Sequence, residues 1–322
     1  MNSKKRLFTG LQPSGEALHI GNYLGALKPF CELYEQYESL LCVVDYHALT
    51  TVRDPEILRK NTVNVAKDYL AAGVDPEKAI IFRQSDVPEH TELTWILSTL
   101  VTVPFLMQAH AYKDKVAKGI EPTAGLFNYP VLMASDILLY DTDIVPVGQD
   151  QRQHIEYTRE IATKFNNAYT ELFKKPEERI DDSVATIPGT DGRKMSKSYN
   201  NTIPLFGTDE EIQKAVMGIV TDSKGVEEAK DPEADAVFAI HKYFADDIET
   251  LAKRYRDGGI GYKESKELLA KNIIAAIAPM RERRANISDS DVEAVLAEGA
   301  KKAQAIAKTK MDEVRVVIGV RK

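Results

Sequence analysis

Lys194 and Lys197 stand three residues apart in the polar stretch GRKMSKSYNNT, residues 192–202, with Ser196 and Ser198 beside them. A lysine ammonium is a compact charge on a flexible stem, suited to phosphate oxygens that shift as a bond breaks. Lys/Ser/Asn runs also form solvated surface loops, and the residues alone leave both readings open. A second candidate is QPSGEALHIGNYLGAL, residues 12–27, in which Gly15, Gly21 and Gly25 surround His19 and Asn22. Glycines admit close approach of backbone to a ligand, and a following helix start attracts phosphate; an ordinary strand-to-helix turn has the same composition. A third is Asp136 in the apolar run PVLMASDILLY, residues 130–140, three after Met133 and on the same helical face. A carboxylate there is costly without a partner. It either caps or meets water, or it accepts a hydrogen bond from a polar atom of a mainly apolar ligand. Asp45-Tyr46-His47 and Gly148-Gln149-Asp150-Gln151 each follow a strand-like segment. His47 suits a structural or a chemical role. Asp150 suits ribose hydroxyls and Gly148 close approach, although turns favour the same residues.

Such groups need elements to hold them. KRLFTGL, SLLCVVDYH, KAIIFRQS and DIVPVG read as short buried strands. Helical patterns lie between them: one from the Asp54-Pro55 cap to a stop at Gly73, one from about Pro88 to Met107, and one following Gln151. This alternation predicts a parallel sheet with helices on both faces, whose ligands sit beyond the carboxyl ends of the strands. After about residue 206 the strand signals nearly vanish. Thr208 with Glu211 predicts a capping box, and Ser290 with Glu293 another before a long helix ending near Gly319. Residues 207–322 therefore read as a helical domain after an α/β domain of residues 1–206. The lysine loop lies near their junction as a natural hinge, made easy to bend by Gly189 and Gly192.

Composition bounds the partners. The chain has 322 residues, 28% charged, with a net charge of −7. That argues against a protein coated in nucleic acid but not against a local basic footprint. Residues 301–322 carry seven basic side chains against Asp312 and Glu313, which reads first as a charged helix face. No apolar run reaches the roughly 18–20 residues that span a bilayer. The start, MNSKKRLFTGLQPSGE, has no hydrophobic region, so no secretory leader is expected. Cys31 and Cys42 form no metal-ligand pattern and read as buried thiols in a reducing cytoplasm. The stretch WILSTLVTVPFLMQAHAY, residues 95–112, is too apolar for one helix face to bury easily.

Together, LHIGN at residues 18–22 and KMSKS at 194–198 resemble the two signature motifs of the class I aminoacyl-tRNA synthetases. Within that class the chain is similar to the bacterial tryptophanyl-tRNA synthetases over nearly its full length. The supporting stretches are GLQPSGEALHIGNYLGAL, VVDYHALT, YPVLMASDILLYDTDIVPVGQDQRQHIEYTREIATKFN and VTDS. Gln149 stands where that family often has Glu. The nearest alternative is a tyrosyl-tRNA synthetase, which shares fold and motifs; an acceptor at Asp136 also suits a phenol. The GNYLGAL and VPVGQDQRQHIE context and the short C-terminus favour tryptophan. A nucleotidylyltransferase without tRNA is disfavoured by the helical domain, and a non-catalytic paralogue by intact His19, Lys194 and Lys197.

The resemblance implies a Rossmann-like doubly wound α/β catalytic domain followed by a smaller α-helical domain that reads the tRNA anticodon. It implies two steps: L-tryptophan and ATP give tryptophanyl-adenylate and pyrophosphate, and the tryptophanyl group then passes to the 3′ end of tRNA(Trp). It implies catalytic roles for His19, Lys194 and Lys197. ATP is expected at Gln12, Pro13, Ser14, His19, Gly21, Asn22, Gly148, Gln149, Asp150, Ile187 and the loop residues Met195, Ser196 and Ser198. Tryptophan is expected at Phe8, His47, Tyr129, Met133, Asp136, Val147 and Gln151, with Asp136 accepting the indole N–H and Tyr129 and Gln151 holding the amino group. Mg²⁺ is expected with ATP rather than in a dedicated protein site, and a cytoplasmic homodimer built partly on residues 95–112.

Overall fold

The computed structural model describes residues 4–15, 18–109, 119, 121–147, 152–179 and 187–321, without the side chain of Ser198. Five strands form one sheet: β1 (Arg6–Leu11), β2 (Glu38–Val43), β3 (Ala79–Arg83), β4 (Ile144–Pro146) and β5 (Glu177–Arg179). All neighbouring pairs are parallel, in the order β3-β2-β1-β4-β5. Leu40, Leu41, Cys42 and Val43 are all buried, so β2 reads as a continuous apolar run, as a strand covered on both faces must. The order reverses between β1 and β4, and the residues just beyond these strand ends lie at the switch point where such sheets bind ligands. The α/β expectation holds, with helices flanking the sheet. The strand β5, sequence EER, has no apolar signature because it is a short edge strand.

Helix ends follow the side chains that cap them. Asp54 accepts from the N–H groups of Glu56 and Ile57 and starts the helix Pro55–Ala71. Thr208 and Glu211 form the expected capping box of the helix Asp209–Met217. Two expectations need correction. Residues 88–107 form not one helix but two, Glu89–Ser98 and Val103–Met107, because Thr102 caps a fresh start with Pro104 in its first turn. The long final helix, Asp289–Val317, is capped by Ser288 with Asp291 rather than by Ser290 with Glu293.

The expected boundary at residue 206 also shifts. Among the described residues, one compact unit combines those up to residue 16 with those of 30–181 and 287–322, and the other combines 17–29 with 182–286. The final helix belongs to the sheet unit because it packs on β3. A Cβ at Gly299 would stand 1.8 Å from the carbonyl oxygen of Ile81, so only glycine lets helix backbone meet strand backbone there. Three of its basic residues, and Arg321 just beyond it, form ion pairs: Lys310 with Asp141 and Glu313, Arg315 with Glu92 and Asp312, Arg321 with Asp312, and Lys301 with Glu298. The second unit is helical after residue 208, with a core that includes Phe238, Leu251, Ala252, Tyr255 and Ile260.

Candidate active site

In the second unit, His19 and Asn22 explain why their types are spaced as they are. The His19 Nδ1 accepts the Asn22 N–H at 3.2 Å, and the Asn22 Oδ1 accepts the His19 N–H at 3.2 Å. This is a reciprocal capping box at the start of the helical turn Ile20–Asn22, with histidine in the serine role and asparagine in the glutamate role. It also decides the tautomer. Nδ1 is an acceptor, so in the neutral ring the proton is on Nε2. The ring is neutral because burial, then the charges of Lys197 and Lys194, pull its pKa down to about 4. A neutral imidazole with a fixed Nε2–H is a donor suited to a phosphate oxygen.

The lysine stretch lies in the same unit. Residues 187–195 fold back as a tight hairpin: Met195 N–H donates to Ile187 O at 2.8 Å, and Gly189 N–H to Arg193 O at 2.6 Å. Gly192 turns it with φ +79°. The expectation of a loop made bendable by two glycines therefore changes: at its base these glycines build a turn rather than slack. Met195 is buried, and its Sδ accepts the Gly21 N–H at 3.3 Å, so the histidine turn and the lysine hairpin touch directly. Flanking segments are bound too, Ile20 N–H to Ile203 O and Leu205 N–H to Leu18 O. The Ile187 carbonyl serves the hairpin, which leaves that oxygen committed.

In the sheet unit, the turn after β1 is held by side chains. Gln12 Nε2 donates to His47 O at 2.9 Å, Asn61 Nδ2 donates to Pro13 O at 3.3 Å, and Ser14 N–H to Gln12 O at 2.8 Å. Asp136 is 2% exposed, in the helix Ala124–Leu138. Its Oδ2 accepts His47 Nε2 at 2.9 Å; its Oδ1 accepts Gln84 Nε2 at 2.7 Å and His90 Nδ1 at 2.7 Å. The Tyr140 hydroxyl then meets His90 Nε2 at 2.8 Å. Burial alone would raise the Asp136 pKa, but the hydrogen bonds from His47 and His90 outweigh it and hold the carboxyl below its ordinary range. A carboxylate offers about four acceptor positions. Among the described residues three are taken, two on Oδ1 and one on Oδ2, which leaves room on Oδ2 for a further donor.

The remaining expected residues distribute as follows. Phe8 is buried in β1 and stacks on Tyr140, with centroids 5.8 Å apart. Met133 and Val147 are partly buried against the same core. Tyr129 shares a 2.6 Å hydrogen bond with His154 Nε2, and its ring meets His47 edge-on. Gly148, Gln149, Asp150 and Gln151 lie outside the described residues. Sequence reasoning missed Gln84 and His90. Gln84 had a signal, since it directly follows β3 as His47 follows β2. His90 had none, because its partner is 46 residues away.

Residues 1–278 match the family model of "tRNA synthetases class I (W and Y)". The chain is 50% identical over 320 residues to the tryptophan–tRNA ligase of Rhodopirellula baltica, covering 98% of this chain and 100% of the relative. It is 48% identical over 321 residues to that of Fusobacterium nucleatum, with 98% of each chain covered. Among solved structures it resembles the tryptophanyl-tRNA synthetase of Campylobacter jejuni complexed with ADP and tryptophan, with a TM-score of 0.88, 46% identity, and 98% and 99% of the two chains covered. That of Mycoplasma pneumoniae matches with a TM-score of 0.86 at 29% identity, covering 98% of each.

Proposed function

The chain belongs to the class I tRNA synthetases of the W and Y group, and on that premise we propose how its residues carry the reaction. The reaction is the ligation of tryptophan to tRNA with ATP. A tryptophan carboxylate oxygen attacks the α-phosphorus, the bond to the bridging oxygen breaks, and pyrophosphate leaves. A ribose hydroxyl at the 3′ end of tRNA(Trp) then attacks the acyl carbon and AMP leaves.

In this reading the His19 Nε2–H and the ammonium groups of Lys194 and Lys197 meet the phosphates. The observation that carries it is the direct contact, in one unit, between the turn of a histidine fixed neutral and the stretch bearing two lysines whose charge that histidine feels. Little covalent work falls to the protein in such a displacement; positioning and charge stabilisation dominate. Gly21 and Asn22 hold the histidine turn, and Ser196, Met195 and Ser198 frame the lysines. Gln12, Pro13 and Ser14 contact the nucleotide, and Gly148 and Asp150 hold its ribose. Ile187 offers its N–H to the base. Mg²⁺ accompanies ATP as part of the substrate, on the phosphate oxygens.

Asp136 takes the indole N–H at its open Oδ2 position, beside Phe8, Met133, His47 and Val147, while Tyr129 and Gln151 hold the amino group. A site built around one hydrogen bond rejects ligands that lack the donor more strongly than an apolar slot does. The helical unit reads the anticodon, with residues 287–322 supporting the sheet instead. The assembly is a cytoplasmic homodimer; exposed Trp95, Val103 and Met107 supply its apolar contact. No described helix is long and apolar enough to cross a membrane.

Tryptophan-dependent ATP–pyrophosphate exchange, followed by charging of tRNA, is the test. Exchange with tyrosine at a comparable rate would overturn the substrate assignment. A single species at monomer mass in sedimentation at micromolar concentration would overturn the dimer.

A further inference from the structure

We propose that Asn201 is a positioning residue for adenylate formation: its side-chain amide ties the lysine hairpin into one frame. Asn201 is 1% exposed although it sits in a polar stretch. Its Oδ1 accepts the Ser196 N–H at 2.8 Å, and its Nδ2 donates to Lys194 O at 3.1 Å and to Asp191 Oδ1 at 2.6 Å. Its own carbonyl accepts the Thr190 N–H at 2.9 Å. Both amide hydrogens and the amide oxygen are thus spent on the hairpin, and they reach the backbone on both sides of Met195. Asp191 extends the tie, accepting the Arg193 N–H at 3.0 Å and Arg193 Nε at 2.8 Å.

Two backbone features exist to seat this amide. Asn200 adopts φ +50°, a left-handed turn that brings residue 201 back under the hairpin. A Cβ on Gly189 would lie 2.3 Å from the Asn201 Cγ and Nδ2, so residue 189 must be glycine for the amide to pack there. The consequence is that the stems of Lys194 and Lys197 start from fixed points while their tips adapt. Pre-set charge of this kind acts on the step in which charge develops. The inference rests on the proposed phosphate role of the lysines.

The test measures pre-steady-state adenylate formation for wild type, Asn201→Ala, Lys197→Ala, the Lys194→Ala/Lys197→Ala variant and that variant with Asn201→Ala added, with melting curves to establish folding. Asn201→Ala is expected to lower the rate about tenfold or more in the wild-type background and less than about twofold in the background lacking both lysines, since a residue acting through the lysines loses its effect when both are gone. The Michaelis constant for tryptophan stays within about twofold of wild type, the split expected when an interaction acts mainly in the transition state. Gly189→Ala, which displaces the amide without removing it, reproduces the same pattern and replaces Asn201→Ala if that variant does not fold. Equal losses in both backgrounds, or none in a folded variant, would overturn the inference. If Lys197→Ala itself forms adenylate at the wild-type rate, it is the phosphate role of the loop that fails.

Discussion

Asp136 accepts hydrogen bonds from three neighbours among the described residues, with room on Oδ2 for a fourth. Asp136→Ala is therefore expected to do two things. It removes the acceptor proposed for the indole N–H, costing roughly 1–3 kcal/mol in selectivity for tryptophan over phenylalanine. It also strands the donors of His47, Gln84 and His90 in the core, so the fold weakens as well. Exchange kinetics on the folded fraction check the first effect, and unchanged selectivity would remove Asp136 from the pocket. For Lys197→Ala the expected loss in adenylate formation is about 10²–10³-fold, the scale of one well-placed electrostatic group. Pre-steady-state rates read it directly. The lysines, His19 and Asp136 are candidates on local signals alone: a charged pair in a polar stretch, a histidine among glycines and a carboxylate in an apolar run. The sequence could not show that Asp136 stands in a network. Gln84 and His90 arrive from other elements, and only the fold brings them within 2.7 Å of it.

Elements whose ends are set by nearby side chains were readable in the same way. Asp54 and Thr208 act on N–H groups two or three residues away, within the window that a sequence pattern covers. The strand β5 was not, since its status comes from pairing with β4 across more than thirty residues. The hairpin at residues 187–195 was misread as slack because glycine has two uses, freedom and thinness, and composition does not separate them. Gly299 is the sharpest case of thinness. Gly299→Ala forces a methyl group against the Ile81 carbonyl, so the helix must lift from β3. The expected cost is about 2–4 kcal/mol, at or above the usual range for overpacking, with the uncovering of a backbone contact included. Urea unfolding checks it; a change under about 0.5 kcal/mol would mean that the helix shifts freely.

Across the two units, among the described residues, His19 and His241 fold neutral. Burial lowers His241 to about 4, and burial followed by the two lysines lowers His19 to about 4, both from an ordinary 6.5. The unfolded chain binds these protons first. Stability is thus intact above pH about 6.5, declines as pH falls through that value, and is fully lost for each group by about 4, up to about 3 kcal/mol apiece. Asp136, held below its ordinary range, gives way only at lower pH. Urea midpoints between pH 7 and 4.5 measure the slope, and His241→Gln is expected to remove about half of it. A slope unchanged in that variant would assign the acid sensitivity elsewhere. The seating of the last helix on β3 has a consequence in time. The edge strand, residues 79–83, is synthesised well before its cover, residues 289–317. A chain cut short before that point exposes an apolar, unpaired strand edge, the kind of surface that draws other strands.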